Sequence, residues 1–116
     1  MPILDKKDVQ METLAPGTER WEIVNGELGA ASLTVAEVAL APGGKAATHI
    51  HPTEEAMVIL EGELEAVLGD EIITVAPGQT VLAPAGVKHG FTNRSGSFAR
   101  VFGIFPTGKI EKTLVD

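Results

Sequence analysis

Four residues in this chain have the types and spacing to hold a metal ion. His49 and His51 are separated by one residue within Ala47-Thr48-His49-Ile50-His51. On an extended strand, residues i and i+2 point to the same side, so both imidazoles would face one point. Glu55 shares their parity and follows the bend at Pro52, from which it can turn a carboxylate toward that point. Histidine nitrogen with carboxylate oxygen suits a divalent transition metal, and two histidines with one carboxylate form the facial triad of non-haem iron sites. His89, far along the chain, supplies a fourth ligand only if folding delivers it. Alone, His-x-His is a weak signal, because an exposed histidine pair at a strand end is common. Glu54, of opposite parity, is the rival of Glu55.

The segments that must carry these residues read as short strands. Thirteen glycines and seven prolines make 20 of the 116 residues, above the roughly 12% of average usage. They punctuate the chain at Pro16-Gly17, Gly26, Gly29, Pro42-Gly43-Gly44, Pro52, Gly62, Gly69, Pro77-Gly78, Pro84 to Gly86, Gly90, Gly96, Gly103 and Pro106 to Gly108. Short β-branched and aliphatic runs between such breaks predict a sandwich or barrel. In one run Leu64, Ala66 and Leu68 alternate with Glu63 and Glu65; in another Phe98, Phe102 and Ile104 oppose Ala99, Val101 and Phe105, so that strand reads as covered on both faces. Gly69-Asp70-Glu71 reads as a hairpin turn. The best helical candidate, Met11 to Leu14, is too short and is stopped by Pro16. Leu33 and Val35 are out of phase with Val38 and Leu40, a conflict that a bulge near Ala36 would reconcile. The expectation is an all-β chain forming one domain over residues 1–116.

Composition removes several function classes. Without cysteine there are no disulfides, thiolate nucleophiles or iron–sulfur clusters. A formal net charge of −7 opposes binding to nucleic acid phosphates or anionic lipid. No apolar run approaches the roughly 20 residues of a membrane helix, and Met1 to Asp8 lacks the apolar centre of a signal peptide. The expectation is a cytoplasmic protein with no nucleic acid or membrane partner. Asn93-Arg94-Ser95 matches a glycosylation acceptor, which has no meaning without secretion.

The glycine, proline and histidine spacing adds a resemblance. Gly43, five residues, His49, one residue, His51, three residues, Glu55, six residues and Gly62 form one block. Gly78, five residues, Pro84-Ala85-Gly86, two residues, His89, three residues and Asn93 form a second. These blocks, 43–62 and 78–93, resemble the first and second motifs of the cupin superfamily at every defining position. The short gap from Glu63 to Pro77 is similar to that of small microbial members. The resemblance implies a cupin double-stranded β-helix, a jelly-roll barrel, in which His49, His51, Glu55 and His89 bind one metal ion. Iron, manganese, nickel, cobalt, zinc and copper all remain open, with copper(I) least suited because there is no sulfur ligand. The motif glycines Gly43, Gly62, Gly78 and Gly86 are expected at strand ends with positive φ or tight bends.

Cupins serve as dioxygenases, decarboxylases, isomerases and plain binding proteins, so the fold alone says little about function. The absence of tyrosine weighs against epimerases, lyases and thiol dioxygenases of this superfamily that use one. Proton transfer falls to metal-bound water, a carboxylate or a lysine. The expected activity is therefore metal-centred: a mononuclear non-haem dioxygenase acting on a small enol or diketone-like molecule. A non-catalytic ligand-binding or sensing cupin is the alternative. No catalytic residue is assigned beyond the metal ligands. Met57, Ile59 and Phe91 share motif parity and are candidates to line the pocket, with ordinary barrel core as the competing role. Arg20 and Arg100 are candidate carboxylate anchors, with surface ion pairing the commoner role for arginine. A homodimer is the expected assembly; Trp21 to Val24 and Ile110 to Val115 would either build its interface or close the chain's own barrel.

Overall fold

A computed structural model describes residues 2–115; the domain limits expected at Met1 and Asp116 lie outside the described residues. A short 3₁₀ turn at Lys6–Asp8 precedes β1 (Glu12–Ala15), β2 (Thr18–Val24), β3 (Thr34–Leu40), β4 (Lys45–Ile50), β5 (Glu55–Glu61) and β6 (Leu64–Leu68). Then come β7 (Glu71–Val75), β8 (Thr80–Ala83), β9 (His89–Thr92), β10 (Ala99–Phe105) and β11 (Thr113–Leu114). One antiparallel sheet has the order β1-β2-β3-β10-β5-β8 and the other the order β11-β4-β9-β6-β7. From β3 to β11 the chain changes sheet at every connection except the β6–β7 hairpin. This is the double-stranded β-helix expected from the sequence. Among the described residues no helix is long and apolar enough to cross a membrane.

Alternation places the core between the sheets. On β5, Glu55, Met57 and Ile59 are buried, while Ala56, Val58 and Leu60 are half-buried on the outer face. On β6, Leu64 and Ala66 point inward and Leu68 packs beside them. The Gly69-Asp70 turn pairs Leu68 with Glu71, and Gly69 takes the positive φ of a type II′ hairpin. The glycines at 43, 62, 78 and 86 all have positive φ. At Gly62 a side chain is also excluded by space, since a Cβ would lie 2.5 Å from the Phe98 carbonyl oxygen.

Met11 to Leu14 forms no helix, as its length and Pro16 predict; Glu12–Ala15 is a strand paired with β2. Other sequence expectations need correction. The bulge expected near Ala36 lies in the neighbouring strand: β3 runs unbroken against β10, whereas on β2 Ile23 is the extra residue between the Glu22–Ala36 and Val24–Val35 pairs. The phase conflict disappears because Leu33 precedes the strand and is exposed. Phe98 likewise lies before β10 and is 57% exposed, so only the Ala99, Val101, Gly103 and Phe105 face of β10 is fully covered. Gly90 and Gly103, read as punctuation, sit inside β9 and β10.

The terminal segments close the chain's own sheets. Trp21 to Val24 belong to β2, which pairs with β1 and β3. Within Ile110 to Val115, β11 pairs with β4 through Thr113–Ile50 and Leu114–His49. On the outer face of β3, Glu37 is buried beneath the N-terminal turn. Its carboxylate accepts a hydrogen bond from Lys6 Nζ at 2.8 Å, and the same ammonium lies 4.0 Å from the Trp21 ring centre.

Candidate metal centre

His49, His51, Glu55 and His89 converge between the sheets, each offering one ligand atom within 4.8 Å of the others. Local backbone features bring them there. His49 and His89 are opposed as Cα partners on β4 and β9. Two pairs away Ala46 opposes Phe91, so Ala47 and Thr48 together face the single residue Gly90. A two-against-one bulge of this kind turns the strand and re-aims side chains. It lets Ala46 and His49, of opposite parity, both project toward the interior. Gly90 permits the bulge because a Cβ there would lie 2.7 Å from the Ala46 carbonyl oxygen and 3.1 Å from Thr48 backbone atoms.

Beyond β4, the bend at Pro52 returns the chain so that Glu55, the first residue of β5, faces the histidines. Glu55 is buried and Glu54 is exposed, which places the rival carboxylate outside the cluster. Glu55 also needs space from the opposite strand. Gly103 on β10 provides it, because a Cβ at that position would lie 2.6 Å from Glu55 Oε2. Asn93 ties the two motif regions together. Its fully buried amide donates to the Leu40 and Ser97 carbonyls at 2.9 and 2.8 Å, and its oxygen accepts from the Ser95 amide and hydroxyl. An amide so engaged cannot accept a glycan.

The histidines are held by their outer nitrogens. Nδ1 of His49, His51 and His89 donates to the carbonyls of Ala47, Glu111 and Val87 at 2.6, 2.6 and 3.0 Å. A carbonyl cannot donate, so each Nδ1 carries a hydrogen and Nε2 is the lone-pair nitrogen of each neutral ring. Metal-bound histidines are characteristically oriented this way. His89 Nε2 lies 2.8 Å and His51 Nε2 3.3 Å from the same Glu55 Oε1. Only the first makes a hydrogen bond; His51 Nε2 is buried without a partner. Phe105 packs edge-on against the His51 ring at 4.9 Å.

Charge couples the four groups. Burial is the largest influence on His49 and, with the His89 and His51 rings nearby, pushes it down to about 4 despite the Ala47 carbonyl. Burial alone would raise the Glu55 carboxyl, but the His51 and His89 rings outweigh it and hold the group below the ordinary carboxylate value. Burial would lower His89, yet the Glu55 carboxylate and the Val87 carbonyl together raise it. Without a cation these shifts favour a His89–Glu55 ion pair beside a neutral His49.

A cavity of about 60 Å³ opens over the cluster, room for a few waters at roughly 10–15 Å³ each. Met57 and Phe91 line it, together with Val38, Val101 and Phe105. Ile59, the third pocket candidate, lies one inward position further along β5, within the packed core and away from the cavity wall. Arg20 reaches the cavity, whereas Arg100 projects from the outer face near Glu37 and Glu61. Lys112 and Gly103 also border it. The sequence reads Gly103 as a strand break and does not single out Lys112, because the role of each depends on contacts between segments distant along the chain.

Residues 36–105 match the family described as cupin domain. The chain is 28% identical over 106 residues to polyketide synthase CurC of Streptomyces cyaneus, covering 90% of this chain and 69% of that protein. Among solved structures, it resembles the polyketide cyclase RemF of Streptomyces resistomycificus, with a TM-score of 0.80 and 25% identity, covering all of this chain and 87% of that one. An uncharacterized double-stranded β-helix protein of Klebsiella pneumoniae superposes with a TM-score of 0.81 at 18% identity, covering 100% of this chain and 98% of that one.

Proposed function

Since the chain belongs to the cupin family, we propose that it is a metal-dependent enzyme for a small organic substrate, with His49, His51, Glu55 and His89 as ligands of one divalent ion. His51 Nε2 carries this reading. It is a buried ring nitrogen with no hydrogen-bond partner, facing the same carboxylate oxygen as His89. Leaving such a group unpaired costs about 1–3 kcal/mol, and a cation among the four ligand atoms removes that cost. The sulfur-free donor set suits iron, manganese, nickel, cobalt, zinc or copper(II). When bound, the ion would supply a Lewis-acidic centre for a small molecule beside these four residues.

The chain's own residues set the rest of the chemistry. The carbonyls of Ala47, Glu111 and Val87 keep hydrogen on each Nδ1 and leave Nε2 for coordination. Met57, Phe91 and Phe105 limit water above the cluster. With no tyrosine in the chain, Lys112 Nζ at the cavity border is the available protein proton carrier outside the cluster. The favoured activity is dioxygenase-type oxygenation of a small enolisable carbonyl compound. Similarity to CurC and to the polyketide cyclase RemF supports a second reading, non-oxidative ring closure of such a compound.

Acetylacetone consumption by iron- and manganese-loaded protein, followed in an oxygen electrode, separates these readings. Oxygen uptake matching substrate loss over many turnovers supports the first, and turnover without oxygen uptake supports the second. Saturation at one equivalent with no product, across a panel of diketones, overturns the enzyme proposal in favour of a binding protein. A cytoplasmic homodimer completes the proposal; a one-chain mass by light scattering would remove the dimer.

A further inference from the structure

We infer that Arg20 and Lys112 form an anion subsite at the cavity border, so that the ligand is a small organic anion with an acidic end and an apolar body. The inference rests on the metal-centre reading only for the ligand's second anchor, since the two cations belong to the chain itself.

Arg20 lies on β2 opposite Val38, and both line the cavity. Its side chain is only 16% exposed. Nη2 donates to Glu12 at 3.1 Å and lies 3.6 Å from Glu22, while Nε is buried without any partner. Holding Glu12 and Glu22 uses one end of the guanidinium and leaves the Nε hydrogen unsatisfied. An unmade hydrogen bond at a buried charged group is costly, and an acceptor within the cavity is the arrangement that satisfies it.

Lys112 reaches the same cavity from the segment before β11, at the edge of the opposite sheet. The Glu111 carbonyl that accepts from His51 Nδ1 fixes the residue immediately before it. Among the described residues no carboxylate lies within ion-pair distance of Lys112. Partial burial and then the Arg20 charge lower its ammonium pKa, as expected of two like charges at one cavity rim. The chain as a whole carries −7 and does not attract anions at long range. Selection must therefore be local, by two convergent cations above an apolar wall of Leu14, Val38, Phe91 and Val101. A carboxylate accepts from Arg20 Nε and Lys112 Nζ together, and the body of the ligand extends toward the histidine cluster.

Propanoate and its neutral isostere propanamide test this by calorimetric titration into metal-loaded and chelator-treated protein. The expected result is at least about tenfold tighter binding of propanoate, the scale of a charge-assisted hydrogen bond, with discrimination retained after chelation. Arg20→Gln and Lys112→Gln each reduce that discrimination several-fold, while Arg100→Gln on the outer face leaves it unchanged. Lys112 is exposed, so its variant reads the subsite even if Arg20→Gln fails to fold. Equal affinity for the two probes, or discrimination untouched in Lys112→Gln, overturns the subsite. Stoichiometric metal uptake without discrimination removes this inference alone; discrimination without metal uptake removes the metal reading alone.

Discussion

The carboxylate of Glu55 occupies the space that a side chain at Gly103 would need: a Cβ there would lie 2.6 Å from Glu55 Oε2. These residues face each other across the β5–β10 pairing, where Gly103 opposes Met57. Gly103→Ala must push the carboxylate out of the cluster. The expected outcome is about a 10- to 100-fold loss of metal affinity, the scale of an altered ligand-supporting contact, measured by competition with a metal indicator. Gly96→Ala, where a Cβ meets nothing within 4 Å, should leave affinity unchanged.

The bulge that turns His49 inward depends on Gly90. Its Cβ would meet the Ala46 carbonyl at 2.7 Å, and backbone cannot withdraw as a flexible side chain can. Gly90→Ala should destabilise the fold by about 1–3 kcal/mol, as overpacking does, read from urea unfolding of metal-free protein.

Asn93 offers a purely structural contrast. Its amide makes buried hydrogen bonds to Leu40 and Ser97 and accepts from Ser95. Asn93→Ala leaves the Leu40 carbonyl without that donor, and about 2–4 kcal/mol of stability should disappear. The Tm of the variant checks this, and its metal stoichiometry at low temperature should match that of the parent.

Acid should destabilise the metal-free protein through His49. Burial lowers its folded-state pKa from 6.5 to about 4, so between those values the unfolded chain binds a proton that the folded chain refuses. Stability therefore falls as pH drops through this window. His89 acts oppositely. Its folded pKa is raised, so its contribution is complete below 6.5 and is lost as pH rises through the folded value. Glu55, with a lowered folded pKa, contributes above 4.5 and loses that contribution as pH falls through its folded value. Thermal melts from pH 8 to 4 should show a maximum in the histidine range, and His49→Gln should flatten the slope between 6.5 and about 4.

Three of the four clustered residues were legible because their positions obey short-range rules. His49 and His51 share a face at i and i+2, Glu55 follows the Pro52 bend with the correct parity, and turn chemistry located Gly69-Asp70. What was not legible depends on neighbours distant in sequence. Gly90 and Gly103 look like turn glycines until their cross-strand partners are known. Nothing in the sequence shows that Arg20 opposes Val38 while Arg100 points outward, or that Lys112 returns to the cavity. The Leu33 to Leu40 phase conflict vanishes once Leu33 is seen to lie before β3, and the bulge expected there falls at Ile23 of the adjoining strand.

Metal content per chain tests the central claim most directly. Protein treated with chelator, reconstituted anaerobically with iron(II) or aerobically with manganese(II), and desalted should contain one ion per chain by elemental mass spectrometry. His51→Ala should abolish that uptake while retaining the strand circular dichroism of the parent. A ratio near zero for the parent with every first-row divalent ion, or uptake unchanged in His51→Ala, would contradict the account.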